Sequence, residues 1–380
     1  MILLSPGPVH IDPSRYSSIR PMHHRTEEFR EILGETADMT AALCGTRSKP
    51  CFLAASGTGA MECALGSVVE EGDSVLVPVA GKFGRRWAEI ARARRCHVEV
   101  IEFEPGVSID PGAIADRVER AGPRVLALTH VESSTGLILD LRGMMSETRR
   151  DGMLVLVDAI ASAGSEMLAM DDWGIDLLVG AGQKALCAPA GISFVIAGGR
   201  AARMARKVSG DMYYLSLARY LDAASTGDTP FTPAVDAVQI LHGSLRTIFE
   251  TGVDEVLERH AAAGGGILDA ATQLGLRVLP EKPSFSVQAF LPPEGVDAGS
   301  LIDRLREEHS ITVAGGQGSL AGRIFRTGFP GIHSREVLVR LVEALYDCLR
   351  DKVPATGEKA ALDRISRFPY NGPLFDSHLT

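Results

Sequence analysis

Three short stretches combine residue types that could do chemistry together. Ser56-Gly57-Thr58-Gly59-Ala60-Met61-Glu62 follows an apolar run and opens a helical pattern. Its glycines let backbone approach an anion, a helix N-terminus offers unpaired N–H groups, and Thr58 adds a hydroxyl. The stretch reads equally as a phosphate cradle or as a tight strand-to-helix turn capped by Ser or Thr. It is neither G-x-G-x-x-G nor a Walker loop. Val155-Leu156-Val157-Asp158-Ala159 ends an apolar run in a carboxylate, which is costly to bury unless a cation meets it. The plainer alternative is a helix N-cap aspartate. Gly182-Gln183-Lys184-Ala185-Leu186 sets a lysine among small and apolar residues, where desolvation lowers its pKa toward nucleophilic use. Its alternative is a surface lysine on a loop.

The elements that must position these residues are legible from hydrophobic pattern. Seven β-rich runs cover 52–55, 74–80, 97–103, 124–130, 153–158, 176–181 and 191–197. Most are near-continuous Val, Leu, Ile and Ala, as strands covered on both faces are. Helical patterns at 59–71, 84–93, 110–121 and 141–151 separate several of them. This βαβ series predicts a largely parallel sheet with helices on both faces, and ligands in such sheets sit beyond the carboxyl ends of the strands. A long helical pattern follows from Thr232 to Gly266. Beyond it, strand-like runs at 284–290, 311–314 and 323–326 mix with amphipathic helices at 298–308 and 334–349. The segment 354–380 is polar and reads as draped on the surface or partly ordered. The expected organisation is an N-terminal arm (1–15), a large domain (16–250) and a smaller C-terminal α/β domain with a polar tail (251–380).

On a parallel sheet the three chemical stretches share one edge. Together they are the anchors that pyridoxal 5′-phosphate needs: a phosphate cradle, a carboxylate for the pyridinium nitrogen and an amine for a Schiff base. Composition agrees with an ordinary folded enzyme. The 380 residues are 45% hydrophobic and 23% charged, which excludes wholesale disorder. A net charge of −9 with no long basic block argues against a nucleic-acid partner. No apolar run approaches the roughly 20 residues of a membrane span, and the opening MILLSPGPVH lacks the basic region of a secretion signal. Cys44, Cys51, Cys63, Cys96, Cys187 and Cys348 form no C-x-x-C pair and read as reduced thiols of a cytoplasmic protein, with no metal site.

The sequence resembles the class V aminotransferases, fold-type-I pyridoxal-phosphate enzymes, and within them the alanine–glyoxylate and serine–glyoxylate group. The resemblance runs from Pro6-Gly7-Pro8 to Phe325-Arg326-Thr327-Gly328. It is sharpest in Thr129-His130-Val131-Glu132-Ser133-Ser134-Thr135-Gly136, in Val157-Asp158-Ala159-Ile160-Ala161-Ser162 and in Gly182-Gln183-Lys184-Ala185-Leu186-Cys187-Ala188-Pro189. It implies an α/β fold of type I with a mostly parallel seven-stranded sheet. It also implies a Schiff base on Lys184, Asp158 at the pyridine nitrogen, Ile160 beneath the ring and Phe83 stacked on its open face. Thr58, Gly59 and Gln183 would hold the phosphate. Thr232, with Thr229 nearby, would reach it from the neighbouring subunit of a homodimer. Arg326 would bind the substrate carboxylate, for which a guanidinium offers a bidentate grip, and Ser133 would contact that carboxylate or nearby cofactor atoms. His23-His24-Arg25 is similar to an element near the active-site mouth of relatives.

The activity so implied is ping-pong transfer of an amino group from a small amino acid of the alanine or serine type to glyoxylate or pyruvate. Ala60, Thr327 and Phe329-Pro330 depart from the family pattern and bear on the substrate pocket, which keeps 2-aminoethylphosphonate among the possible donors. A lyase of the cysteine desulfurase type would need a mobile cysteine in the C-terminal half, where Cys348 is the one present. A nicotinamide-dependent oxidoreductase would need the missing G-x-G-x-x-G.

Overall fold

The apolar runs form strands because both sides of most are covered; the run His97–Glu102, at the edge of its sheet, is only partly buried. A computed structural model describes residues 1–369 apart from positions 12, 209–211, 330, 332 and 333. The large sheet contains β1 (Pro50–Leu53), β2 (Ser74–Val79), β3 (His97–Glu102), β4 (Val125–Thr129), β5 (Leu154–Asp158), β6 (Leu177–Ala181) and β7 (Ser193–Ala197). Their order across the sheet is β1-β7-β6-β5-β4-β2-β3. Strands β2 to β6 pair in parallel, and β7 runs antiparallel to both β6 and β1. Six of the seven strands therefore point the same way, and their carboxyl ends share one edge.

Strand alternation divides the core between the two faces. Leu154, Leu156, Leu177 and Val179 pack with Met61, Leu65 and Trp87 of two helices, α2 (Gly57–Gly66) and α3 (Lys82–Ala93). The intervening Val155, Val157 and Leu178 face the other side. There they join Phe29 and Leu33 of α1 (Glu27–Leu43), Ile114 of α4 (Pro111–Ala121), Met144 of α5 (Leu141–Thr148) and Leu241 of α6 (Val235–Thr251). Burying one Val or Leu stabilises by roughly 1.5–3 kcal/mol, so each face is a strong constraint on register.

The C-terminal region adds α7 (Val253–Gln273), α8 (Ala298–His309), α9 (Arg335–Leu349) and α10 (Ala355–Ser366). They accompany a four-stranded antiparallel sheet of β8 (Arg277–Val278), β9 (Val287–Leu291), β10 (Ala314–Gly315) and β11 (Phe325–Gly328), ordered β8-β9-β11-β10. The first residues are stitched to this region: Ile2–Leu3 pairs in parallel with Ile311–Thr312, and the Gly328 N–H donates to Leu4 O at 2.8 Å. This tether directs Pro6 and Gly7 to the carboxyl edge of the large sheet.

One expectation needs correction, and one open alternative is decided. The helical pattern from Thr232 to Gly266 is two helices, not one, because Gly252 adopts φ 100°, a conformation that favours glycine and ends α6. The segment from 354 is ordered in part, the second of its two alternatives. Its first part is α10, whose Ala361 and Ile365 are fully buried; residues 370–380 lie outside the described residues. No helix among the described residues is long and apolar enough to cross a membrane.

Candidate active site

An open cleft of about 720 Å³ lies along the carboxyl edge. Its floor begins at β1, where Ser56 is the N-cap residue of α2 with φ −71° and ψ 166° and makes no side-chain capping bond. The first-turn N–H groups of α2 have no intrahelical acceptor, so this helix end is open to an anion. Gly57 is required by close approach: a Cβ there would stand 2.5 Å from Ile160 Cδ1.

Asp158 closes β5 and is 4% exposed. Its Oδ1 accepts the Ile160 N–H at 2.8 Å. No helix begins here, so the N-cap alternative fails; the next helical turn is Met170–Trp173. Burial pushes the carboxyl up to about 7, and the charge of Glu132 adds to that. The Ile160 N–H, Lys184 and Arg86 oppose it. Among the described residues no cation lies within ion-pair distance of Asp158, so the carboxylate is set up for a positive partner that is not side chain.

Lys184 lies in the turn after β6, held by the Cys187 N–H on its carbonyl at 2.9 Å and the Ala188 N–H on Gly182 O at 2.8 Å. Its Nζ donates to Pro6 O at 2.6 Å. Gly7, at φ 138°, packs so closely that an added Cβ would meet Lys184 Cδ at 2.6 Å. Burial brings the amine down to about 8; Arg326 works in the same direction and Asp158 against it. Near neutral pH a usable fraction of this amine is unprotonated and nucleophilic. Beside it, Gln183 lines the cleft with a buried Oε1 that has no hydrogen-bond partner.

Phe83 and Arg86 enter the cleft from the first turns of α3. The Arg86 guanidinium lies 4.7 Å from the Phe83 ring centroid, and its Nη1 donates to Thr58 Oγ1 at 3.0 Å. Arg326, on β11, is 5% exposed. It gives Nε and Nη2 to Gly315 O at 3.0 and 2.7 Å and Nη1 to Ser133 O at 2.6 Å, which leaves two of a guanidinium's five N–H groups for a ligand.

The family model for aminotransferase class-V matches residues 14–321. The chain belongs to the class-V aminotransferases. Soluble hydrogenase 42 kDa subunit from Anabaena cylindrica is 32% identical to it over 89% of this chain and 90% of its own length. Alanine–glyoxylate aminotransferase from Rattus norvegicus is 31% identical, covering 93% and 89%. The crystal structure of ureidoglycine–glyoxylate aminotransferase from Bacillus subtilis aligns with a TM-score of 0.88 at 27% identity, over 96% of this chain and 98% of that one. Enzymes of this class and fold depend on pyridoxal 5′-phosphate, and so does this aminotransferase.

Of the residues singled out from sequence, the aminotransferase cleft brings together Thr58, Phe83, Ser133, Asp158, Ile160, Gln183 and Lys184. Arg326 reaches it through Ser133. Gly59 stays behind Thr58, where a Cβ would meet Ala55 Cβ at 2.8 Å. Thr229 and Thr232 are not in the cleft of their own chain; Thr229 donates its hydroxyl to Phe231 O. His23-His24-Arg25 is a turn outside the cleft lining, with Arg25 Nη1 on Asp228 Oδ2 at 2.8 Å. Thr327 and Phe329 are fully buried and do not line the cleft; Pro330 lies outside the described residues. Cys348 sits on α9 with its thiol pushed up by burial and is absent from the cleft. Arg86, Glu132 and the Pro6 carbonyl went unassigned from sequence. Arg86 had one available signal, its position three residues after Phe83 on the same helix face.

Proposed function

We propose that this aminotransferase moves an amino group from a small amino acid of the alanine or serine type to glyoxylate or pyruvate, with Lys184 as the residue that carries the cofactor. The observation that carries the reading is the pair of buried, oppositely charged groups, Lys184 and Asp158, facing one cleft, whose hydrogen bonds among the described residues are to the Pro6 carbonyl and from the Ile160 N–H. The names of the rat and Bacillus relatives support glyoxylate as the acceptor.

The residues present fit pyridoxal 5′-phosphate. The uncapped N-terminus of α2 and the Thr58 hydroxyl suit a phosphate, which Gln183 would meet with its amide N–H₂; Gly59 gives α2 its close packing. Asp158 suits a protonated ring nitrogen, and Phe83 and Ile160 suit the two ring faces. When bound, the cofactor supplies an electrophilic carbonyl carbon and an electron sink. Lys184 Nζ, freed from its covalent role, takes the Cα proton of the donor and returns it on the other side of the transfer. Arg326 orients the substrate carboxylate with its two spare N–H groups, and Ser133 bounds the same site. Pro6 O holds the amine in place between turnovers.

The reading includes a cytoplasmic homodimer in which Thr232 and Thr229 serve the partner's site, and a division into an arm (1–15), a large unit (16–250) and a small unit (251–380). Borohydride reduction of the loaded enzyme followed by peptide mapping tests its centre. The label is expected on Lys184, and Lys184→Ala is expected to lower kcat by at least about 10³-fold. A label on another lysine, or a Lys184→Ala protein that turns over within tenfold of wild type, overturns the assignment.

A further inference from the structure

Helix α3 carries two of the cleft residues, Phe83 and Arg86, yet it cannot cap itself. Its N-cap residue is Gly81, which has no side chain to offer. The cap comes from a turn 48 to 52 residues away. Glu132 Oε2 accepts the Phe83 N–H at 2.9 Å and the Gly84 N–H at 3.0 Å. Glu132 Oε1 accepts the Ser134 N–H at 3.1 Å and the Ser134 hydroxyl. Ser134 Oγ in turn accepts the Lys82 N–H at 2.9 Å. The carboxylate is 3% exposed, and the fit is close: a Cβ on Gly81 would stand 2.4 Å from Ser134 Oγ and 2.5 Å from Glu132 Cδ.

This arrangement sorts the two helix ends that open on the same edge. Both α2 and α3 present a positive N-terminus there. Glu132 fills that of α3, while that of α2 makes no side-chain cap. An incoming dianion therefore has one helix end to choose. The same turn also touches the other side of the cleft, because Ser133 O accepts from Arg326. Between them, residues 132 to 134 tie the ring-stacking helix to the carboxylate-binding arginine.

We propose that Glu132 is a positioning residue whose carboxylate fixes α3, and through it Phe83 and Arg86, against the cofactor and keeps the α3 N-terminus closed to phosphate. The proposal rests on the functional reading above. Glutamine cannot replace it: an amide offers one acceptor oxygen, so it serves either the α3 N–H pair or the Ser134 pair, and it turns an N–H₂ donor toward the other. A helix left without its cap is locally destabilised, and the loss falls on the turn that bears Phe83.

The test compares Glu132→Gln, Ser134→Ala and Glu102→Gln as apoproteins titrated with pyridoxal 5′-phosphate. Glu102 pairs with Arg85 of the same helix at 2.8 Å but on the exposed side, and is the control. Three quantities are read: coenzyme Kd, circular dichroism in the coenzyme band, and kcat against KM. Glu132→Gln is expected to weaken coenzyme binding about tenfold or more, to diminish or invert the coenzyme dichroism and to lower kcat more than KM; each tenfold corresponds to about 1.4 kcal/mol. Ser134→Ala is expected to show the same pattern at about threefold, and Glu102→Gln no change. Native Kd and dichroism in a folded Glu132→Gln protein overturn the proposal, as does a lowered Tm with both unchanged. Should Glu132→Gln fail to fold, Ser134→Ala decides: weakened binding at wild-type Tm supports the role, and unaltered binding refutes it. A wild-type protein that takes up no coenzyme refutes the functional reading instead.

Discussion

The large sheet has a hollow at each end, and only one is equipped for chemistry. At the amino edge, residues 72–74, 122–124 and 150–153 line an open hollow of about 1030 Å³, roomier than the open cleft of about 720 Å³ at the carboxyl edge. Both edges contain buried or half-buried acids. At the amino edge these are answered from within the protein: Asp176 Oδ2 accepts the Val155 N–H at 3.0 Å, its Oδ1 lies 3.6 Å from Arg200 Nε, and Asp73 pairs with Arg124 at 3.3 Å. At the carboxyl edge, among the described residues, Asp158 has a single N–H, Lys184 a single carbonyl and Gln183 Oε1 no hydrogen-bond partner. Room does not distinguish the two edges; unmet polar groups do. An interior that leaves charge unsatisfied sacrifices stability, and such charge is expected where a ligand completes it.

The sharpest way to break this comparison is to neutralise one buried acid at each edge. Asp158 has a folded pKa of about 7, above its unfolded value, so its favourable contribution is complete below the unfolded pKa and is lost as pH rises through 7. Asp158→Asn apoprotein is therefore expected to be more stable than wild type above pH 7, on the order of 1–4 kcal/mol. The gap should close as pH falls toward 4. The same variant is expected to lose at least about 10²-fold in kcat. Asp176→Ala should do the opposite: it strands the buried Val155 N–H and costs about 1–3 kcal/mol, with coenzyme binding unchanged. Denaturant melts across pH, paired with coenzyme titration, check both. Equal destabilisation by the two substitutions would erase the distinction between the edges.

That distinction was half legible in the sequence. Residues at strand ends could be placed because the apolar runs are unbroken, and Asp158 and Lys184 are charges that interrupt or follow such runs. The first strand lies at Pro50–Leu53 rather than 52–55, since the glycine turn that follows takes its last residues. Arg86, Glu132 and Pro6 could not be placed. Their partners Thr58, Phe83 and Lys184 lie 28, 49 and 178 residues away, and only the closed sheet brings them together. Helix α10 was missed for a related reason. Two apolar residues, Ala361 and Ile365, make its buried contact, too few for a period to show, and its stability comes from packing on the helices beneath. Helix α1 carried signals that went unread: Thr26 accepts the Phe29 N–H, and Glu27 and Glu28 occupy its acidic first turn.

A smaller effect sharpens the account of the carboxyl edge itself. Arg326 and Arg323 lie three residues apart, one buried on β11 and the other exposed. Lysine at 326 can replace neither the paired bonds to Gly315 O nor a bidentate grip on a carboxylate. Arg326→Lys is expected to raise KM for the amino donor about 10–100-fold with a smaller change in kcat. Arg323→Lys should leave both within twofold. Steady-state kinetics with alanine and serine as donors read the difference, and the reverse ranking would move the carboxylate site away from β11.

The smallest expected effect returns to the amino edge. The side chains of Arg124 and Asp73 are 34% and 26% exposed, so their pairing is screened by water and salt. Arg124→Gln should cost no more than about 1 kcal/mol, and raising the ionic strength should shrink the difference from wild type. Coenzyme Kd and kcat should not move, because the charge lost lies at the opposite end of the strands from Asp158 and Lys184. A clear rise in coenzyme Kd on Arg124→Gln would mean that the two edges are coupled through β4 and β5. The roomier hollow would then be a second element of the site rather than a finished piece of the scaffold.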